Sequence, residues 1–321
     1  MTQRAVINLN PTDMLVRYKT VLILIVLILF FFFLNPIFLD PTNVMNMLKR
    51  MTYIGIAGFG ATFIITLAGL DISVGAVCAL EGVVLAMMLR GGIPVVPAVA
   101  IAIIMCLGLG WSNGAISVKG RIEPFLVTLA TMNIFRGIAM TLCAGRPIPI
   151  RTPGFADVFG NGKLFGFLPT PVVFMIGFFI LTIYIYHYTK FGFYVRSIGG
   201  NIEAARVAGI AVDRIKMIAY TLSGLYSAMA GLILAALMNA GMSDVGSDLA
   251  LDAIAAVILG GTAISGGRGS VWGTLGGALI MGVLSSGLYL LGAQAHQQVL
   301  AKGIVIILAV LMSNIISRAK N

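Results

Sequence analysis

The chain has 321 residues, of which 59% are apolar and 10% charged, with a mean hydropathy of +1.03 and a formal net charge of +10. A water-soluble domain carries nearer a quarter charged residues, so the composition excludes a soluble fold and calls for a polytopic membrane protein. The basic residues are scattered between apolar blocks rather than gathered on one face, which argues against a nucleic-acid partner and for the anionic inner face of a membrane.

A membrane span needs about 20 mainly apolar residues to cross roughly 30 Å of hydrocarbon. Arg4, Arg17 and Lys19 precede a first apolar run at 21–34. This run ends in Asn35-Pro36 with no small-residue cleavage site after it, so it reads as a retained span and not a signal peptide. In chain order, spans are predicted at 20–38, 53–69, 74–90, 94–116, 125–143, 171–188, 215–238, 250–265, 271–291 and 299–317. The expected fold is all-α: about ten transmembrane helices, some short or broken, in a single domain over 1–321.

With the N-terminus inside, thirteen loop cations fall on the inner side: Arg4, Arg17, Lys19, Lys119, Arg121, Lys190, Arg196, Arg206, Arg214, Lys216, Arg268, Arg318 and Lys320. Six fall outside: Lys49, Arg50, Arg90, Arg146, Arg151 and Lys163. The positive-inside rule then places both termini and the loop at about 189–214 in the cytoplasm.

The second, third and eighth spans are short and flank glycine-rich breaks. One break reads LAGLDISVG at 67–75 and the other GGTAISGGRG at 260–269. Irregular backbone at membrane depth survives only where protein buries it or a wet cavity receives it. Asp71, Ser73, Gly75, Gly261 and Thr262 are therefore candidates for a solute pathway, with tight cytoplasmic hairpins as the alternative. Asp71 has a second reading as N-cap of the third span. Glu81 reads as an interhelical hydrogen-bonding group. Arg136 reads as a partner for a carboxylate such as Glu81 or for helix-end carbonyls.

Chemistry is sparse elsewhere. Gly261 to Gly266 starts like a phosphate-binding loop, but Gly267 and Arg268 stand where Lys and Ser/Thr belong, so no nucleotide site is expected. Cys78, Cys106 and Cys143 lie in or at the ends of apolar segments without metal-ligand spacing and read as packing residues. No nucleophile with its base is evident, so no catalytic residue, no metal and no cofactor of the chain's own is expected.

The polar island at 190–216 is different. Gly199-Gly200-Asn201 is placed to start a short helix, Glu203 suits its first turn, Ala204, Ala205, Arg206 and Ala208 offer a close-approach surface, and Gly209 ends it. A short docking helix between two spans suggests a part that something else pushes on.

Five ordered motifs now carry a resemblance: AGLDISVG at 68–75, KGRIEPFLVTLATMNIFRG at 119–137, GGNIEAARVAGI at 199–210, LDAIAAVILGGT at 251–262 and GGRGSVWGTL at 266–275. Over nearly the whole chain it resembles the permease subunits of bacterial ABC importers for ribose and related monosaccharides. The resemblance implies a homodimer of ten-span permeases in the bacterial inner membrane. It also implies a separate cytoplasmic ATPase that binds the ATP and magnesium, and a periplasmic sugar-binding protein that feeds the passage. Residues 199–210 then match the family's coupling segment. The alternative is a self-contained secondary transporter or channel, which would want paired acidic relay groups and no docking helix.

Overall fold

The computed structural model describes residues 11–318; Arg4, Lys320 and both chain ends lie outside the described residues. Ten helices follow the ten predicted segments in order: α1 (Pro11–Leu34), α2 (Pro41–Thr66), α3 (Val74–Arg90), α4 (Val95–Gly120), α5 (Pro124–Cys143), α6 (Thr170–Tyr188), α9 (Val212–Met238), α10 (Leu249–Leu259), α11 (Val271–Leu290) and α12 (Ala295–Arg318). Two more, α7 (Lys190–Gly200) and α8 (Ile202–Val207), fill the polar island. Among the described residues, five helices, α4, α5, α6, α9 and α11, are long and apolar enough by themselves to cross a membrane. The chain is a multi-pass membrane protein.

Local chemistry sets the boundaries. Asp40 accepts from the Thr42 amide at 2.8 Å ahead of Pro41, which starts α2, and Ser270 accepts from the Gly273 amide at 2.9 Å to start α11. Asn35 ends the first predicted span early by capping a single 3-10 turn, Pro36–Leu39. The ends depart from prediction in both directions: α2 starts at Pro41, well before the predicted 53, and α10 stops at Leu259, short of the predicted 265, because Gly261 adopts φ +90°.

The helices are sorted by burial. α2 is buried at nearly every position from Met51 to Thr66 and packs with α6, α9, α10 and α11, whereas α1, α4, α5 and α6 expose apolar faces. The small residues on α9, α10 and α11 serve contacts within this one chain. A Cβ on Gly224 of α9 would strike the Cys106 carbonyl of α4, and one on Gly277 of α11 would strike the Ala256 carbonyl of α10. Phe31 and Phe38 stack at 5.5 Å between ring centres in a buried cluster, while Phe33 is exposed. All three cysteines are buried packing residues.

The connection 145–170 is ordered: β1 (Ile148–Pro149) pairs antiparallel with a later strand, β4 (Ala240–Gly241), and β2 (Lys163–Leu164) pairs with β3 (Leu168–Pro169).

Candidate functional site

Asn201 divides the polar island into two helices. It is C-cap of α7 and N-cap of α8, its extended backbone turns the chain, and its side chain accepts from the Ala204 amide at 3.0 Å. Gly199 and Gly200 therefore end α7 and do not begin the short helix. Glu203 lies in the first turn of α8 and pairs with Arg206 at 3.1 Å, both exposed. Gly209, at φ +80°, closes the helix: its amide donates to Arg206 and that of Ile210 to Ala205.

The outward surface of α8 differs from the predicted one. Ala205 is 4% exposed and faces its own protein, so it is no part of a docking surface. Glu203, Ala204, Arg206, Ala208 and Gly209 are exposed, and Val207 is 91% exposed. Pattern alone missed Val207, since an apolar residue on a six-residue helix gives no periodicity to read.

α7 explains its own glycines. A Cβ on Gly199 would land on the Thr66 carbonyl at the end of α2 and 2.6 Å from the Gly267 amide. That amide donates to the same Thr66 carbonyl at 2.9 Å, and Gly266 presses on Ala68, a non-glycine residue at φ +59°. Arg196 donates to the Tyr186 carbonyl and lies 4.9 Å over the Tyr186 ring, and the Tyr186 hydroxyl is 3.3 Å from Thr66 Oγ1. The two glycine-rich breaks thus meet each other, and the α7 end is wedged against both.

Beyond this junction the first break turns inward. Asp71 is 5% exposed; one carboxylate oxygen accepts from the Ser73 amide (3.0 Å) and hydroxyl (2.6 Å), and the other from the Ser223 hydroxyl of α9 (2.7 Å). The Asn113 amide of α4 donates to Ser73 Oγ at 2.8 Å. Ser223 is eleven residues into α9, about 16 Å along its axis, so the carboxylate sits well inside the bundle. The N-cap of α3 is Ser73, which makes no side-chain cap bond, so Asp71 does not cap the helix as predicted but closes a local turn two residues earlier.

The other candidates are placed as follows. Gly75 abuts the Gly246 carbonyl, so a side chain there would break packing whatever its function. Gly261 is exposed, and Thr262, 1% exposed, accepts from the Ser270 amide at 3.1 Å within its own loop. Ser73 is 1% exposed.

Of three charged features at membrane depth, one was misread, one took the second of its two expected partners, and one was not read at all. Glu81 is fully buried and, among the described residues, makes no hydrogen bond; the predicted interhelical bond is absent, and the carboxylate lies against Gly231 of α9. Arg136 takes the carbonyl alternative, donating to the Ser243 carbonyl at 3.0 Å and to Ser247 Oγ at 3.1 Å. Lys302 of α12 forms a buried ion pair with Asp252 of α10 at 2.7 Å. Asp252 and Lys302 are fifty residues apart, so nothing local signals their pairing.

These features define a class: a multi-pass membrane protein whose helices are broken at depth and whose polar α7–α8 segment is wedged against the breaks. The chain belongs to the family described as branched-chain amino acid transport system / permease component, which matches residues 43–310. It is 42% identical over 280 residues to the ribose import permease protein RbsC of Bacillus subtilis strain 168, covering 87% of each chain. It is 40% identical over 305 residues to RbsC of Escherichia coli K12, covering 94% of each. The L-arabinose ABC transporter permease protein AraH of Azospirillum brasilense is 34% identical over 276 residues, covering 86% of this chain and 81% of that one. No solved structure matches.

Proposed function

We infer that the chain is the permease of an ATP-driven importer that brings a monosaccharide, ribose or a related sugar, into the cytoplasm. Ten spans would cross the bacterial inner membrane with both termini and α7–α8 inside. A separate ABC ATPase would bind the ATP and magnesium, a periplasmic binding protein would deliver the sugar, and a second copy of the chain would complete the passage.

The observation that carries the reading is α8. It is a capped six-residue helix with a nearly fully exposed valine, attached through α7 to the junction of both breaks. A rigid lever of this kind suits a partner that pushes on it. The exposed Glu203, Ala204, Arg206, Val207, Ala208 and Gly209 are the proposed ATPase-facing residues, and Gly199, Gly200 and Asn201 form the proposed transmission. Ala205 supports α8 from beneath.

A gradient-driven carrier is the competing reading, because Asp71, Glu81 and Asp252 are all buried. They serve separate ends, however. Asp71 is saturated by hydroxyl and amide donors, Asp252 is paired with Lys302, and Glu81 makes no hydrogen bond. No chain of hydrogen bonds among the described residues links them into a proton relay.

The test is uptake of labelled d-ribose into liposomes holding the purified chain, alone and with its ATPase and loaded binding protein. Uptake is expected only with the partners and ATP. Uptake by the chain alone on a proton or sodium gradient overturns the reading.

A further inference from the structure

A third irregular break is one that no motif marked. Between β4 and α10 the chain is irregular over 242–248 and runs back along α3. A Cβ on Gly241 would strike the carbonyl of Gly82, and one on Gly75 would strike that of Gly246. Gly82 and Gly75 lie eight and fifteen residues from Arg90 at the far end of α3, about 12 and 22 Å along it. The segment therefore lies inside the hydrocarbon band, and α10 begins at that depth.

This segment is polar and uncovered. Asp244, Ser247 and Asp248 are exposed in the single chain, beside Arg136, which bonds to the segment, and Asn133 nearly one turn away on the same face of α5. Arg136 is twelve residues from the start of α5 and seven from its end, about 18 and 10 Å, so it too sits at depth. Two aspartates and irregular backbone cannot face lipid, because nothing there would solvate them. Water, and protein on its far side, must cover this face.

We propose that residues 242–248 with Arg136 and Asn133 form the sugar-contacting wall of an aqueous passage that a second, symmetry-related copy closes. The side-chain set fits a neutral polyol. Carboxylates and the Asn133 carbonyl oxygen accept from sugar hydroxyls, while the guanidinium and amide groups donate to them. A cation site would not hold Arg136 among its groups. A face of this kind is incomplete in one copy, since its open side in a two-fold dimer is filled only by the same face of the partner.

The inference rests on the importer reading, and the experiment separates the two. In a background lacking the three native cysteines, Ser247→Cys, Asp248→Cys and Ile104→Cys are reconstituted with the ATPase and binding protein. Ile104 is 67% exposed on α4, an equally open but apolar position. The cysteines at 247 and 248 should react with a membrane-impermeant polar thiol reagent, more slowly when d-ribose and loaded binding protein are present. The one at 104 should not react. Asp244→Asn and Asp248→Asn should each lower d-ribose uptake about tenfold, the loss of one hydrogen bond to a charged group, with the complex still assembled. If the wild-type complex imports d-ribose while the cysteines at 247 and 248 react no faster than the one at 104, or while both asparagine variants import normally, the proposal is wrong and the importer reading stands. If the wild-type complex imports none of a panel of pentoses and hexoses, the importer reading fails and the proposal falls with it.

Discussion

Replacing Lys302 by Met should strip Asp252 of the one ion-pair partner it has among the described residues. The two side chains are 14% and 8% exposed and 2.7 Å apart, so little water is at hand to solvate a lone carboxylate. Breaking a buried pair by removing one partner costs about 3–5 kcal/mol, because an uncompensated charge remains in a medium of low dielectric. Against a total stability of about 5–15 kcal/mol that is a large fraction. At 2–4 °C per kcal/mol it should lower the unfolding midpoint of the detergent-solubilised protein by roughly 6–20 °C. Asp252→Asn should do comparable damage from the other side by stranding the ammonium group. The double variant, Asp252→Asn with Lys302→Met, removes both charges and should recover most of the loss, since a buried pair is often no better than neutral groups of similar volume. Thermal unfolding of the four proteins gives the coupling between the positions directly. If the single variants are as stable as the wild type, or the double is worse than their sum, the pair is not the desolvated contact described here.

Three further expectations concern the lever. Val207→Glu should leave the permease inserted and monodisperse yet cut ATP hydrolysis stimulated by the loaded binding protein, because it places a charge on the outermost apolar point of α8. Ala205→Trp should act differently, disordering α8 itself through overpacking of about 1–3 kcal/mol, visible as faster proteolysis of the 201–210 segment before any partner is added. Gly199→Ala drives a methyl into the Thr66 carbonyl and should abolish uptake, whereas Gly177→Ala on α6, with nothing within 4 Å of its Cβ, should transport normally. Equal transport by the two glycine variants would remove the junction from the mechanism.

The order and approximate placing of the apolar helices were legible in the sequence, because a long enough apolar run is a local property; their ends were not, since the predicted spans 20–38 and 250–265 run past Asn35-Pro36 and Gly260-Gly261, where α1 and α10 have already stopped. The short helix closed by Gly209 and capped by Asn201 was legible for the same reason, since a cap reaches only three residues along the chain. What faces what was not. Whether Ala205 or Val207 points outward on a single helical turn depends on what lies beneath it, and α8 is too short for its own pattern to say. Gly199 meets Thr66 and Gly267 from opposite ends of the sequence, and a small residue there is equally at home in a turn. The unwound segment at 242–248 carries no apolar deficit large enough to separate it from an ordinary loop. Only its descent along α3, fixed by contacts between backbones at Gly75 and Gly246, puts Asp244, Asp248 and Arg136 at membrane depth, where their charge acquires a meaning. Composition decides that a chain enters the membrane, but pairing across hundreds of residues decides which of its few charges remain inside and what they face.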